Sequence, residues 1–370
     1  MRRVALFSTN FLEYSQTFVH EEVTHHQRYA VEVFCRERML AERFPFEPVH
    51  VGSLSYGVTR FCPRFHRLFR QRDFALVHGH FGTGATYADP YVRRHRLPFV
   101  VTFHGYDVPL LQSAERLLPK HWPYALLARR MLASMTLGLC ASQELLELLV
   151  DAGVARERLR LYHLGVDLAA FRRGPHSELP RVVMVGRFVE KKGFEYGVRA
   201  FAEALRLGAR GELLLVGGGE REPRLRALID ELALGDSVRL LGVLPSGEVA
   251  RLLATSDVVM APSVVGIDGN RESGVIALKE GSAAGCAVLG TYHGGIPEII
   301  EDGVTGYLVP ERDVRTLAER LHRLLVDRTL VTRMGLAGRV KMEREYDLTK
   351  QVAELEQRYD EAIELGYRAG

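Results

Sequence analysis

Short apolar runs alternate with amphipathic stretches along the whole chain. The apolar runs are rich in β-branched residues, as expected of strands that are buried on both faces. Strands that alternate with helices in this way are typical of βαβ units and of a parallel sheet. The predicted strands are residues 4–8, 31–35, 75–80, 99–103, 137–140, 159–162, 181–186, 213–217, 238–242, 258–262, 287–291 and 306–309.

The stretches between these strands carry apolar residues three and four positions apart, a spacing that predicts amphipathic helices. A longer helical pattern ends the chain. The predicted helices are residues 17–28, 60–70, 123–133, 142–152, 194–207, 221–234, 246–255, 273–284, 312–327 and 348–367.

A segment without periodicity interrupts the alternation between Gly165 and Pro180, which is typical of a linker between domains. We therefore predict an α/β protein with two Rossmann-like, doubly wound parallel-sheet domains. The first covers residues 1–172, and the helix at about 348–370 is expected to pack back on it. The second covers residues 177–347. Because ligands bind at the carboxyl ends of parallel strands, we expect the chemistry in an interdomain cleft.

The composition is ordinary for a globular protein, with 47% hydrophobic and 26% charged residues. No apolar run approaches the ~20 residues that cross a bilayer, and residues 2–8 are too short for a signal peptide. The scattered cysteines form no C-x-x-C pair, so neither a disulfide framework nor a zinc cluster is predicted, and the cytoplasm is the expected location. They are Cys35, Cys62, Cys140 and Cys286.

Positive charge is concentrated in the first half, where residues 1–175 hold 23 Lys and Arg against 16 Asp and Glu. This excess indicates an anionic partner but is too small to indicate nucleic acid. Residues 60–70 interleave arginines with aromatic residues and have two interpretations. They could form a helix resting on an anionic membrane surface, which would make the protein peripheral on the inner face of the cell membrane. Alternatively, Phe65, Leu68 and Phe69 pack normally and the arginines are solvated.

Two glutamates, Glu272 and Glu280, flank a predicted helix start. On one helix they would lie about 12 Å apart along the axis, which suits a ligand whose two hydroxylated ends are joined by a diphosphate. The amides at the helix start would face the anion. The alternative is a pair of ordinary surface glutamates. The residues with these amides are Ser273, Gly274, Val275 and Ile276.

Two loops at predicted strand ends add to this pattern. Arg187 and Lys192 follow one strand and could converge on phosphate oxygens, although loop cations are often simply solvated. Gly217 and Gly218 follow the next strand and let the backbone approach a flat ligand. The G-x-G-x-x-G spacing of dinucleotide-binding proteins is absent here, which weighs against a nicotinamide-dependent oxidoreductase.

The segments GRFVEKKG, LLLVGGGERE, LLGVLPSGEV, ESGVIALKEG and GGIPEIIEDGVTGYLV resemble the retaining glycosyltransferase family 4, of GT-B fold, in order and spacing. The resemblance covers nearly all of residues 180–325. It implies a retaining, metal-independent hexosyltransferase that uses a UDP- or GDP-sugar, with no cofactor and no metal. No Asp-x-Asp follows a predicted strand to hold a metal. A nucleotide-sugar epimerase of related fold, a nicotinamide-dependent oxidoreductase and a non-catalytic binding scaffold remain as alternatives.

The resemblance implies that the first domain, residues 1–172, binds the acceptor and that the second, residues 177–347, binds the nucleotide-sugar. It also implies residue roles. Glu272 would contact the donor sugar, Glu280 the ribose hydroxyls, and Arg187 and Lys192 the diphosphate. Val243 would lie near the base, and Gly217 and Gly218 would also border the donor. The amides of residues 274–276 would contact the sugar and phosphate.

In the first half, EYSQTFVHEEV, VHGHFGTGATY, VTFHGYDV and LYHLGVDLAAF resemble transferases of exopolysaccharide and colanic-acid-type pathways. This implies a saccharide or lipid-linked saccharide acceptor in surface polysaccharide biosynthesis. Many family members have a Gly-Gly loop after the first strand; here Ser15 and Gln16 stand in that region as candidate substitutes. His104 follows a strand and could bond a sugar hydroxyl near the reacting carbon, or it could serve the local backbone. His78 and His80 have no carboxylate at ligand spacing, so no metal site is predicted.

Overall fold

The computed structural model describes residues 1–14, 16–112, 118–267 and 269–369. The chain divides into two compact units, Met1–Gly165 with Leu348–Gly370, and Val166–Asp347. Apart from Gly165, the predicted linker belongs to the second unit, and its Val166 and Phe171 are buried in the core of that unit. The N–H of Val166 also donates to the carbonyl of Tyr346 at 2.8 Å.

The first unit is built on a seven-stranded parallel sheet in the order β3-β2-β1-β4-β5-β6-β7. Its first six strands follow the order of the Rossmann fold. Five of the six predicted strands lie wholly within observed strands. The last, predicted over residues 159–162, ends one residue earlier, at Leu161. The short strand β3 was not predicted. The strands are β1 (Arg2–Phe11), β2 (Tyr29–Arg38), β3 (Val49–Val51), β4 (Phe74–His80), β5 (Phe99–Phe103), β6 (Leu137–Cys140) and β7 (Leu159–Leu161).

The helices of the first unit include the last helix of the chain, which packs against β4 and β5. The first helix ends at Thr24, earlier than predicted, and the backbone N–H groups of Gln27 and Arg28 donate to Glu356 at 2.8 Å. The helices are α1 (Thr17–Thr24), α2 (Tyr56–Thr59), α3 (Pro63–Gln71), α4 (Phe81–His95), α5 (Asp107–Gln112), α6 (Trp122–Ser134), α7 (Gln143–Asp151) and, at the chain end, α15 (Leu348–Ala369).

The aromatic face of α3 belongs to the core of the first unit. Phe65 is fully buried and Phe69 is 7% exposed, and both rings lie against Phe34. The two apolar anchors are therefore unavailable to lipid, and ordinary packing accounts for them. The arginines at positions 64, 67 and 70 are exposed.

The second unit is built on a six-stranded parallel sheet in the order β10-β9-β8-β11-β12-β13, again the Rossmann order. The strands are β8 (Arg181–Val185), β9 (Glu212–Val216), β10 (Val238–Gly242), β11 (Val258–Ala261), β12 (Ala287–Thr291) and β13 (Gly306–Val309). The helices are α8 (Phe194–Arg206), α9 (Glu222–Glu231), α10 (Ser246–Ala254), α11 (Ile276–Ala283), α12 (Ile296–Ile299), α13 (Val314–Val326) and α14 (Arg328–Glu345).

Apolar side chains cover both faces of this second sheet, in two separate clusters. With both faces covered, the loops at the carboxyl ends of its strands are the place for polar side chains that bind a ligand. Within the part of the chain that the structure describes, no helix combines the length and the apolar character needed to cross a membrane.

Candidate active site

A buried carboxylate and two lysines meet where the loops after β8 and β11 come together. Lys192 Nζ donates to Glu272 Oε2 at 2.9 Å, and Lys191 Nζ lies 3.2 Å from Oε1. Lys191 also donates to Asn270 Oδ1 and to the carbonyl of Arg271, both at 3.1 Å. The two lysines therefore hold the segment that carries Glu272. Lys191 was not singled out from the sequence, although it stands next to the predicted Lys192.

The electrostatics of this cluster favour an anion. Burial raises the pKa of the Glu272 carboxyl, but Lys191 and Lys192 outweigh it and hold that pKa well below its ordinary value. Burial lowers the pKa of Lys191, and the charges of Lys192 and Arg187 lower it further, while Glu272 opposes them. Arg187 is exposed in the loop after β8. The three cations exceed the single carboxylate, which leaves positive charge for phosphate oxygens.

A histidine after β12 fixes the backbone beside the carboxylate. The N–H of Glu272 donates to His293 Nε2 at 3.0 Å, and His293 Nδ1 lies 2.7 Å from Glu311 Oε1. Glu311 also accepts the N–H of Val265 at 2.9 Å. Since Nε2 accepts, the proton of neutral His293 is on Nδ1 and points to Glu311. Sequence reasoning missed His293 and Glu311; the only signal was a histidine two residues beyond a predicted strand.

The helix of the Glu-x7-Glu segment begins later than predicted. α11 starts at Ile276 rather than at residue 273, with Val275 as its N-cap. Ser273 and Gly274 therefore belong to a turn before the helix, and the separation calculated for two glutamates on one helix does not apply. The cause is local: the backbone and carboxylate of Glu272 are already engaged by His293 and the lysines. Glu280 is partly buried on α11.

The glycine loop after β9 lies against the loop after β8. The N–H of Gly217 donates to the carbonyl of Gly242 at 2.8 Å, and the carbonyl of Gly218 accepts the N–H of Phe188 at 2.9 Å. At Gly217, where φ is +138°, a Cβ would lie 1.9 Å from Gly186 O, so only glycine fits. Val243, just past β10, is 57% exposed. The predicted donor residues of these loops thus lie along one edge of the sheet.

In the first unit, His104 follows β5 and its backbone is held locally. Its N–H donates to Asp107 Oδ1 at 3.3 Å, and its ring contacts Phe18 and Phe81. Gln16 forms a turn, because its Oε1 accepts the N–H of Glu13 at 3.2 Å. The remaining residue predicted in this region, Ser15, lies outside the described residues.

His78 and His80 do have a carboxylate neighbour, which corrects the sequence-based interpretation. The fold brings Glu22 from α1, and the three side chains offer ligand atoms within 4.8 Å of one another. Each ring nitrogen of His78 is already hydrogen bonded, to Tyr359 Oη at 2.7 Å and to Thr102 Oγ1 at 2.8 Å. The group is therefore a satisfied polar network in the core of the first unit.

Two parallel sheets, each in Rossmann order, are the architecture of the GT-B class of protein. Two solved structures support this fold. Sucrose-phosphate synthase from Thermosynechococcus elongatus is 21% identical, with 98% of this chain and 99% of that one aligned at a TM-score of 0.79. HepE from Anabaena, solved with UDP and glucose, is 16% identical, with 98% and 100% aligned at a TM-score of 0.79.

Family comparisons lead further. The family model "Glycosyltransferase Family 4" matches residues 18–170, and "Glycosyl transferases group 1" matches residues 168–341. The D-inositol 3-phosphate glycosyltransferase of Nocardia farcinica is 30% identical over 79% of this chain and 68% of its own length. The chain belongs to glycosyltransferase family 4.

Two further relatives are named for exopolysaccharide pathways. WcaL of Escherichia coli, whose name assigns it to colanic acid biosynthesis, is 37% identical over 59% of this chain. The amylovoran biosynthesis glycosyltransferase AmsK of Erwinia amylovora is 32% identical over 70% of this chain. The matched regions span 53% of WcaL and 63% of AmsK.

Proposed function

We propose that this protein is a retaining, metal-independent hexosyltransferase of surface polysaccharide biosynthesis. It would move a sugar from a UDP- or GDP-sugar to a saccharide or lipid-linked saccharide acceptor. The observation that carries the proposal is the pairing of Glu272 with Lys191 and Lys192 at the carboxyl edge of the second sheet. The names of WcaL and AmsK support the exopolysaccharide setting.

The cluster suits a nucleotide-sugar because it offers cations for the diphosphate and a carboxylate for the sugar hydroxyls. Arg187, Lys191 and Lys192 would stabilise the negative charge that develops on the departing diphosphate, as fixed electrostatics do in many enzymes. Glu272 would accept hydrogen bonds from hydroxyls of the donor sugar. Glu280 on α11 would take the ribose hydroxyls, and the amides before α11 would face the diphosphate.

Retention fits a departure and attack on the same face of the sugar. The bond between the anomeric carbon and the diphosphate oxygen breaks, and the acceptor oxygen forms the new bond on that face. The acceptor proton passes to the leaving diphosphate oxygen, so no protein base is needed. Analogy with the family supports this course, and the spacing of the residues does not bear on it.

A donor screen tests the proposal. The titles of solved HepE structures name UDP and UDP-glucose, so UDP-glucose is the first donor to test, followed by other UDP- and GDP-sugars. A ligand at 100 times its Kd adds about 2.7 kcal/mol to the free energy of unfolding, which a thermal-shift assay detects. Glu272→Gln should lose this shift, whereas Glu301→Gln, an exposed glutamate of the same unit, should retain it. Equal shifts in both variants would refute the site.

Product analysis tests the stereochemistry. The one-bond carbon–proton coupling at the new anomeric centre should give the same configuration as the donor. An inverted product would refute retention, and loss of turnover on treatment with EDTA would refute metal independence.

We also propose that an exposed basic surface of the first unit contacts anionic lipid headgroups. It consists of Arg70, Arg93, Arg94, Arg96 and Arg130, which line one depression with the 54% exposed Phe61 at its rim. The buried carboxylate of Asp89, within the same depression, is paired with Arg130 at 2.7 Å. The other four arginines leave an excess of positive charge, and each basic residue near an anionic membrane contributes about 1 kcal/mol.

Flotation with phosphatidylserine vesicles tests this surface. Reversing the charges of Arg70, Arg93 and Arg94 to glutamate should abolish flotation. Reversing Arg251, an exposed arginine of the second unit, should leave it unchanged. Flotation that survives the triple reversal would refute the surface.

A further inference from the structure

The two sheets share one strand order, in which β1 and β4 of the first unit correspond to β8 and β11 of the second. The strand order reverses at each of these pairs, and the crevice at their carboxyl ends is the usual ligand site of such a sheet. In the second unit, the loops at this crevice carry Glu272, Lys191 and Lys192. In the first unit, the corresponding positions carry aromatic rings.

Three half-buried residues bring their rings together at the carboxyl ends of β1, β4 and β5. Phe18 lies in the first turn of α1, Phe81 follows β4 directly, and His104 follows β5. The ring centres of Phe81 and His104 are 4.3 Å apart, those of Phe18 and His104 5.1 Å, and those of Phe18 and Phe81 6.5 Å. His104 Nδ1 is buried and Nε2 lies 3.1 Å from His80 Nδ1, so His104 contributes its ring to the cluster.

The backbone of Phe81 is in the left-handed region, with a φ of +61°. A bulky residue rarely adopts this conformation, which costs it free energy and which glycine adopts readily. Asp107 fixes the neighbouring backbone, because its buried carboxylate accepts the N–H of Gly82 at 2.7 Å and the N–H of Gly105 at 3.1 Å. Backbone strain of this kind is concentrated at functional sites. A phenylalanine at this position therefore indicates that its ring has a role beyond folding.

We infer that Phe81 and Phe18 form a stacking surface for a neutral sugar ring of the acceptor. This rests on the proposed function, in which the acceptor is a saccharide. A sugar ring presents C–H groups on one face, whose slight positive charge complements the negative face of an aromatic ring. Its hydroxyls lie around the rim, and the partly exposed hydroxyl residues Thr17 and Thr83 are close to these rings in the chain. The rings offer no charge to a phosphate, so the crevice suits the saccharide part of an acceptor and not a diphosphate.

Saturation-transfer NMR on the whole protein tests the stacking surface with simple glycosides. The probes are the methyl β-glycosides of glucose, galactose and mannose. In a glycoside that binds, the hydrogens on C3 and C5, which project from the same face, should receive more saturation than the methyl group at the rim. Even saturation, or no binding by any of the three, would overturn the inference. Dihexanoylphosphatidylcholine represents an acyl chain as the occupant, and its binding in place of the glycosides would overturn it as well.

Variants of Phe81 separate stacking from a merely structural role. Phe81→Leu should weaken glycoside binding by about fivefold, the worth of one aromatic contact, and Phe81→Tyr should keep it. Phe46→Leu, at a partly exposed phenylalanine between β2 and β3, is the matched control and should bind the glycoside as the wild type does. Wild-type glycoside affinity in Phe81→Leu would overturn the inference.

Nucleotide-sugar binding, measured by thermal shift in the same variants, keeps the two proposals apart. Phe81→Leu should retain the shift given by the nucleotide-sugar, and an equal loss of both ligands would mean general destabilisation and would overturn the stacking role. If the wild type binds a nucleotide-sugar but no glycoside, the stacking surface alone fails. If it binds a glycoside but no nucleotide-sugar, the proposed function fails and the stacking surface stands.

Discussion

Lys192 Nζ donates a 2.9 Å hydrogen bond to Glu272 Oε2, although 80 residues separate the two in the sequence. A buried ion pair of this kind adds little to stability for its own sake, because desolvation of both charges offsets their attraction. Its value is that it holds a cation and a carboxylate ready beside each other. In the proposed reaction, the lysine would turn from the carboxylate toward a diphosphate while Glu272 turns toward the sugar.

Replacing Lys192 by methionine tests the electrostatic part of this proposal. Without this cation, charge on the leaving diphosphate is less well stabilised, and we expect kcat to fall about 100-fold. Lys350→Met, an exposed lysine of α15, is the matched control and should keep wild-type turnover. Steady-state kinetics with the donor chosen by the screen measures both. A Lys192→Met variant with wild-type kcat would contradict the role.

Glu272→Gln should destabilise the second unit in a pH-dependent way. Leaving two partly buried lysines without their carboxylate costs about 3 kcal/mol at pH 7. The pKa of Glu272 in the folded protein lies below its value of about 4.3 in the unfolded chain. Its stabilisation is therefore complete above pH 4.3 and declines as the pH falls toward the folded-state pKa. Urea unfolding at pH 7 and at pH 3 should show a smaller difference from the wild type at pH 3; an equal difference would contradict the assignment.

Replacing Lys279 should increase the stability of the protein, whereas replacing Glu272 should decrease it. Lys279 is 1% exposed, its Nζ lies 4.6 Å from the ring centre of Tyr346, and burial lowers its pKa to about 7 despite the opposing charge of Glu298. Because the unfolded chain binds more protons between pH 7 and pH 10, wild-type stability should rise over that range. Lys279→Met should raise the free energy of unfolding by about 1–3 kcal/mol at pH 7. The gain should shrink by pH 10, and a gain that grows with pH would contradict this account.

Gly193→Ala tests whether the position of the loop after β8, which carries Lys191 and Lys192, matters for stability and donor binding. Gly193 follows Lys192 with φ of +65°, and a Cβ there would lie 1.8 Å from the carbonyl oxygen of Pro262. We expect a loss of stability above 1 kcal/mol and reduced donor affinity, because the loop must move. Gly235→Ala is the control, since its Cβ would meet nothing within 4 Å. Thermal melting and donor titration measure the two effects; wild-type values for Gly193→Ala would show that the loop position is unimportant.

The sequence predicted the sheets well because buried parallel strands are continuous apolar runs; β10, β12 and β13 have the predicted bounds. It missed α4, whose Gly82, Gly84 and Pro90 look like helix breakers. A Cβ at Gly84 would lie 3.2 Å from the Cα of Ser8, so the glycine permits the helix to approach β1 closely. Close backbone packing of this kind leaves no periodic trace in a sequence.

The candidate site was predicted only in part, because contacts between residues far apart in the sequence leave no local pattern. Spacing and resemblance pointed to Glu272 and Lys192 but not to their contact, which depends on the meeting of the loops after β8 and β11. Glu22 lies 58 residues from His80, and only the packing of α1 joins them. Pairings of this kind are properties of the folded chain, and local patterns do not contain them.

The last helix has a consequence for the order in which the molecule is made. Its Glu356 binds the backbone at Gln27 and Arg28, and its Tyr359 binds His78. The nascent first unit therefore leaves the ribosome without these partners and must wait for residues 166–347 to be translated before it receives them. The second unit, continuous in sequence, has all of its own residues available earlier, so synthesis from the N-terminus favours completion of the later unit first.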